Sequence, residues 1–272
     1  ADEELKKFIV CAARETFEET GVLLARGGEK ITRGQRASLY DDLTSGRFTF
    51  AEILENWGLW LDARDFQYAG FWTTPKFSPV RFKTRFFLAV CPRKQSPQVF
   101  GEFTEGGFVA PADALKLWEN SEILISPPVL LTLQTLAQIG VELHKQSNDE
   151  SKTINAKHAI HHSSFIIHHF PFLRRSVEKL VAQSEKHDGE ISFVNFHPRI
   201  ACFPVRTETL PPATHTNCFV AGGRELVVID PASPFVEEQN RLREHIDSLI
   251  ETGGAVVKEL ILTHLHRDHV SG

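Results

Sequence analysis

Arg14-Glu15-Thr16-Phe17-Glu18-Glu19-Thr20-Gly21-Val22 sets three carboxylates at i, i+3 and i+4, so Glu15, Glu18 and Glu19 share one face of a helix. Good helix formers, apolar Leu5, Phe8, Ile9 and Ala12 at helical spacing and a stop at Gly21 predict that helix over Asp2 to Glu19. Three neighbouring carboxylates repel one another, and Arg14, four residues before Glu18, offsets one charge. The negative remainder suits a hard divalent cation with oxygen ligands, Mg²⁺ or Mn²⁺. The alternative is a solvated acidic face, the usual fate of a charge run.

Outward from this helix the pattern alternates. Two short helices are predicted over Gln35 to Leu43 and Thr49 to Trp57, then strands over Phe66 to Thr73, Lys83 to Cys91 and Phe100 to Val109. Pro111 opens a helix running to about Asn120, and Pro128 opens another that ends near Lys145. Gln146 to Thr153 (QSNDESKT) is free of apolar residues and reads as a linker. A helix over Leu173 to Lys186 precedes strands at Ile191 to Phe196, Ile200 to Val205, Asn217 to Ala221 and Glu225 to Ile229. A helix over Val236 to Glu251 and a strand over Lys258 to Thr263 complete the order. The sequence therefore predicts an α/β (α+β) chain divided at 1–145, 146–190 and 191–272.

The last strand leads into Thr263-His264-Leu265-His266-Arg267-Asp268-His269. The period of two in an extended chain aims His264 and His266 to one side, with Asp268 and His269 at the following turn. Imidazoles suit Zn²⁺ and similar transition metals, and four candidate ligands in six residues exceed what a bland loop needs.

RETFEETGV resembles the REUxEExGU half of the box of Nudix hydrolases, with Thr16 in place of the usual aliphatic residue. CAARETFEETGVLL, NWGLWL, WTTP, RFKTRFFLAV and EFTEGGFVAPADAL extend the resemblance over about Ala1 to Lys145, towards the branch with coenzyme A diphosphatases. It implies an α/β/α sandwich, metal held by Glu15, Glu18 and Glu19, and Arg14 orienting them. It also implies hydrolysis of a nucleoside-diphosphate-linked compound, with coenzyme A or acyl-coenzyme A as the candidate substrate. Glu15 is the favoured base and Glu102 a second candidate, whose alternative is an exposed strand acid. The Gly and Glu of the other half of the box are not found, Lys6 standing at the Glu position. The chain is therefore expected to be a fragment.

THxHxDH resembles the metallo-β-lactamase superfamily, and THTNCFVAGGRELVVIDPA resembles that family's early β-hairpin. Over about Ile191 to Gly272 this implies the N-terminal half of an αββα fold. His264 and His266 would hold one metal, Asp268 and His269 a second, and Asp230 would support them. Thioester or related ester hydrolysis is the implied reaction, and a lactamase-fold nuclease is the alternative. With half of the fold, the second site is expected to bind metal weakly, to show no activity alone and to expose apolar surface. For the first part, the alternative is a non-catalytic ligand-binding module.

The balance of 30 Lys+Arg against 35 Asp+Glu argues against a nucleic-acid partner, and the two resemblances imply a small-molecule substrate. Cys11, Cys91, Cys202 and Cys218 form no CxxC pair, which favours reduced thiols and a cytoplasmic setting. No apolar run reaches the ~20 residues of a membrane span. Arg81 and Arg85 are weighed as phosphate contacts and read as surface arginines. Trp57, Trp60 and Trp72 are read as packing residues, and so are the aromatic neighbours of the cluster His158, His161, His162, His168 and His169.

Overall fold

The computed structural model describes residues 3–75, 78, 80–92, 95–98, 106–149, 171–186 and 188–272. Glu102 and the 158–169 histidines lie outside the described residues. The chain forms two compact units. One comprises Ala1–Phe71, Thr84–Pro111 and Thr135–Lys186; the other comprises Trp72–Lys83, Ala112–Gln134 and His187–Gly272.

The first unit is built on helix α1 (Glu3–Thr20). Ile9, Ala13 and Phe17, each four apart, are its buried stripe, one residue round the helix from the Phe8 and Ala12 of the expected face. Gly21 ends the helix in the left-handed region at φ 65°, its amide donating to the Phe17 carbonyl. Helices α2 (Arg33–Thr44) and α3 (Phe50–Asn56) each begin at a threonine capping box, with Gln35 and Glu52 closing the reciprocal bonds. Leu39, Leu43, Phe50 and Ile53 join Phe17 and Leu23 in one core. Gln95 stitches the loop after α1: its Oε1 accepts from the Leu23 amide (2.8 Å) and its Nε2 donates to the Leu23 carbonyl (3.2 Å).

Strands β1 (Phe66–Thr73) and β2 (Lys83–Ala89) pair as a two-stranded sheet. Expected strand residues 106–109 are irregular, with Phe108 and Val109 exposed, because Gly106-Gly107 is poor strand material. Helix α4 spans Pro111–Glu119 and helix α5 spans Pro127–Asp149, four residues past the expected end. No Gly or Pro stops the helix there, so the start of the polar linker stretch continues the last turn. Helix α6 (Pro171–Lys186) packs so closely on β1 that only glycine fits at Gly70. There φ is 92°, and an added Cβ would stand 2.5 Å from the Ser184 hydroxyl.

The second unit carries a five-stranded sheet in the order β3-β4-β5-β6-β7 (Val194–His197, Ile200–Arg206, His215–Gly222, Glu225–Ile229 and Val256–Ile261). β3 to β6 run antiparallel, and helix α7 (Val236–Gly253) crosses over to place β7 parallel to β6. Leu242, Ile246 and Leu249 of α7 cover Phe203, Val205, Val220, Leu226 and Val228 of the sheet. β7 exposes Val256, Val257, Leu260 and Ile261. No helix among the described residues is long and apolar enough to cross a membrane.

Candidate functional sites

The acidic motif lies on the last two turns of α1. Phe17 is buried and points the other way, which leaves Glu15 and Glu18 partly exposed and Glu19 exposed. Arg14 does more than offset one charge. Its Nη1 donates to both Glu18 oxygens (2.8 and 2.6 Å) while its Nη2 donates to Glu15. Partial burial works against the guanidinium, but the Glu18 hydrogen bond and the Glu18 and Glu15 charges outweigh it and hold the Arg14 pKa above its ordinary value. Thr16, where an aliphatic residue was expected, turns its hydroxyl back onto the Ala12 carbonyl (2.7 Å), and Thr20 does the same to Thr16 (2.6 Å). The position therefore presents a methyl with its polar atom satisfied inside the helix.

Arg85 is held by packing: it pairs with Glu4 (2.9 Å) and lies 3.7 Å above the Phe8 ring. Arg81 donates from Nε to the Thr74 carbonyl (2.8 Å). Of the weighed tryptophans only Trp72 is buried; Trp57 and Trp60 are 41% and 55% exposed.

The histidine motif is positioned by the ends of two parallel strands. Asp230 follows β6 with φ 50°, and Thr263 to His266 follow β7, leading into the single turn α8 (Arg267–Val270). Asp230 is buried and fully engaged. Its Oδ1 accepts from the Thr263 amide (2.8 Å), and its Oδ2 from the Thr263 hydroxyl (2.6 Å) and His269 Nδ1 (2.9 Å). Burial opposes the charge on Asp230, but the two Thr263 bonds and the His269 bond outweigh it and lower its pKa.

These bonds set the tautomers. A carboxylate only accepts, so the Thr263 hydroxyl proton goes to Asp230 and the His269 proton sits on Nδ1. Thr263 Oγ1 then accepts from His264 Nδ1 (3.0 Å), which leaves Nε2 of both His264 and His269 as lone-pair donors. The His264 ring lies 4.0 Å from that of His269 and 4.7 Å from that of His266, so the three imidazoles are gathered. Asp268 stands apart: the Thr209 hydroxyl hydrogen-bonds it and lowers its pKa, and its Oδ2 is 3.9 Å from His269 Nε2. The sequence singled out Asp230 and the histidines; Thr263 and Thr209 act through contacts that no spacing announces.

The donor chemistry fits the expected ions at both places, hard carboxylate oxygens on α1 and imidazole nitrogens after β7. Among the described residues, though, no group of three or more His, Cys, Asp or Glu is arranged to hold a metal ion. On α1 the reason is visible, since Arg14 occupies Glu15 and Glu18.

Comparison with known families agrees with both strings. The family described as the NUDT19 Nudix domain matches residues 3–136, and the metallo-beta-lactamase superfamily matches residues 211–272. The chain joins a Nudix domain to a metallo-beta-lactamase segment. No curated protein and no solved structure matches it. The mixed α/β architecture fits this pairing, and because both families are hydrolases the Nudix–lactamase chain is a hydrolase. Both families generally use divalent metals.

Proposed function

We propose that the Nudix part hydrolyses a nucleoside-diphosphate-linked small molecule, with coenzyme A or acyl-coenzyme A as the candidate substrate. The loop at 263–269 serves ester hydrolysis, thioesters included. The observation that carries the first reading is the display of Glu15, Glu18 and Glu19 on the face of α1 opposite its buried stripe. Mg²⁺ or Mn²⁺ held there would neutralise phosphate charge. Arg14 orients Glu15 and Glu18, and Glu15, released from Arg14 by a competing cation, would take the proton of the attacking water. Glu102 remains the second candidate for that proton.

For the second site, His264, His266, Asp268 and His269 would hold Zn²⁺ or a similar pair of ions, with Asp230 keeping His269 in the tautomer that ligation needs. The division at 1–145, 146–190 and 191–272 belongs to the same proposal. Four free cysteines support a reducing, cytoplasmic setting.

The grip of Arg14 on both Glu18 oxygens favours a second reading, in which the Nudix part binds its ligand without turnover. Mg²⁺-dependent hydrolysis of a diphosphate panel that includes coenzyme A separates the two. Turnover lost in Glu18→Gln supports catalysis; Mg²⁺-independent binding without turnover supports the binding module.

A further inference from the structure

The start of α2 carries more positive charge than its surroundings satisfy. Lys30, Arg33 and Arg36 fall within seven residues, and among the described residues none of the three has an ion-pair partner. The N-terminus of a helix is itself positive, so its first turn favours Asp or Glu; α2 has no acid there. Arg36 is the least satisfied of the three. It lies on the stripe of α2 that also buries Leu39 and Leu43 and is 6% exposed, yet its guanidinium makes no hydrogen bond among the described residues. A buried cation is ordinarily paired. Here burial, and then repulsion by Arg33, lowers the Arg36 pKa. The Cys91 thiol is its other neighbour, and burial raises the pKa of that thiol, so Cys91 supplies no counter-charge at pH 7.

Arg36 can still be reached from outside. Among the described residues, the side-chain atoms both sealed from solvent and without a hydrogen-bond partner are Glu238 Oε2 and Arg241 Nε, so the Arg36 nitrogens keep an opening to solvent. Helical side chains lean towards the N-terminus of their helix, which carries the Arg36 guanidinium back over the first turn, towards Arg33. There the Thr32 capping box takes up the Gln35 amide and leaves the exposed amides of Arg33 and Gly34 without a partner among the described residues. The space beside them is open: an added Cβ at Gly34 would meet nothing within 4 Å.

We propose that this turn binds a terminal phosphate group, its oxygens accepting from the guanidinium groups of Arg36 and Arg33 and from the amides of Arg33 and Gly34. A phosphate near its dianionic form answers both guanidinium charges, where a carboxylate answers one, and its three free oxygens serve side chains and amides together. The narrow exposure of Arg36 admits the end of a molecule and not the side of a phosphodiester chain, and the net charge of −5 also weighs against a polyanion. The ligand is thus inorganic phosphate or a phosphate monoester on a larger small molecule. The inference does not rest on the metal chemistry proposed for α1.

The test titrates inorganic phosphate, AMP and adenosine in turn into the whole protein, without Mg²⁺ and at constant ionic strength, while the backbone ¹⁵N–¹H resonances of Arg33 and Gly34 are followed. The expected result is a saturable shift with phosphate or AMP and none with adenosine. Tighter binding of AMP than of phosphate identifies a monoester as the ligand; equal or weaker binding identifies inorganic phosphate. Arg36→Gln removes a charge-assisted hydrogen bond and should weaken binding at least about tenfold. Because it also removes an unpaired buried charge, its denaturant midpoint without phosphate should not fall below that of the wild type. No saturable shift with either phosphate compound, an equal shift with adenosine, or undiminished affinity in Arg36→Gln would overturn the proposal. Should Arg36→Gln fail to fold, Arg33→Gln, changed at an exposed side chain, carries the same test, and undiminished affinity there overturns it equally.

Discussion

The acidic face of α1 and the histidine loop after β7 are assembled in opposite ways. On α1 every participant lies within six residues of sequence, and Arg14 links two of the acids, Glu15 and Glu18. In the histidine loop the organising group comes from elsewhere: Asp230, 33 and 39 residues before its partners Thr263 and His269, fixes both. The first site follows once a helix forms. The second exists only when β6 and β7 are paired and Asp230 is buried between the strand ends and the loop.

Stability should therefore respond very differently at the two sites. Asp230→Ala removes three hydrogen bonds to a buried carboxylate and should destabilise the second unit by about 3 kcal/mol, read as a lower denaturant midpoint. Zn²⁺ affinity measured on the folded fraction should fall about 10–100-fold. Arg14→Ala breaks pairs within one helix whose side chains are 27–46% open to water, and should cost less than about 1 kcal/mol. A cost at Arg14 equal to that at Asp230 would break the comparison.

A smaller effect sharpens it from the core of the second unit. His245 of α7 is wedged 4.7 Å from both Phe193 and Phe203, and burial lowers its pKa from 6.5. The unfolded chain thus binds this proton more readily than the folded one, so the stability is present above pH 6.5 and is lost as the pH falls through and below it. Urea unfolding of His245→Leu between pH 7 and 5 should show a flatter dependence than the wild type. A steeper one would mean that the ring gains, not loses, from protonation.

Smallest is a chemical contrast with no expected change in stability. Burial pushes the Cys202 and Cys218 thiols up to about 11 and about 12, whereas Cys11 is exposed. At pH 8 a thiol reagent should label Cys11 in the native protein and reach Cys202 and Cys218 only on unfolding.

What the sequence made legible follows the same division. The α1 acids were readable because a helix converts spacing directly into a shared face, and most strands and helices were placed within a few residues because Pro, Gly and β-branched runs act locally. Gln95 holding the Leu23 backbone, Ser184 against Gly70, and Thr209 against Asp268 were not readable, since each contact joins residues far apart in sequence. The reach of Arg14 to a second acid was also missed, because Glu15 is its immediate neighbour and helical spacing rules pair residues three or four apart.

The most direct measurement is product analysis of acyl-coenzyme A incubated with Mg²⁺ and Zn²⁺ and the full-length wild-type protein or its Glu18→Gln or His266→Ala variant. Two separate hydrolytic sites predict that Glu18→Gln stops diphosphate cleavage alone and His266→Ala stops thiol release alone, by about a hundredfold or more in each case. One variant abolishing both products, or neither product forming with the wild type, would contradict the account.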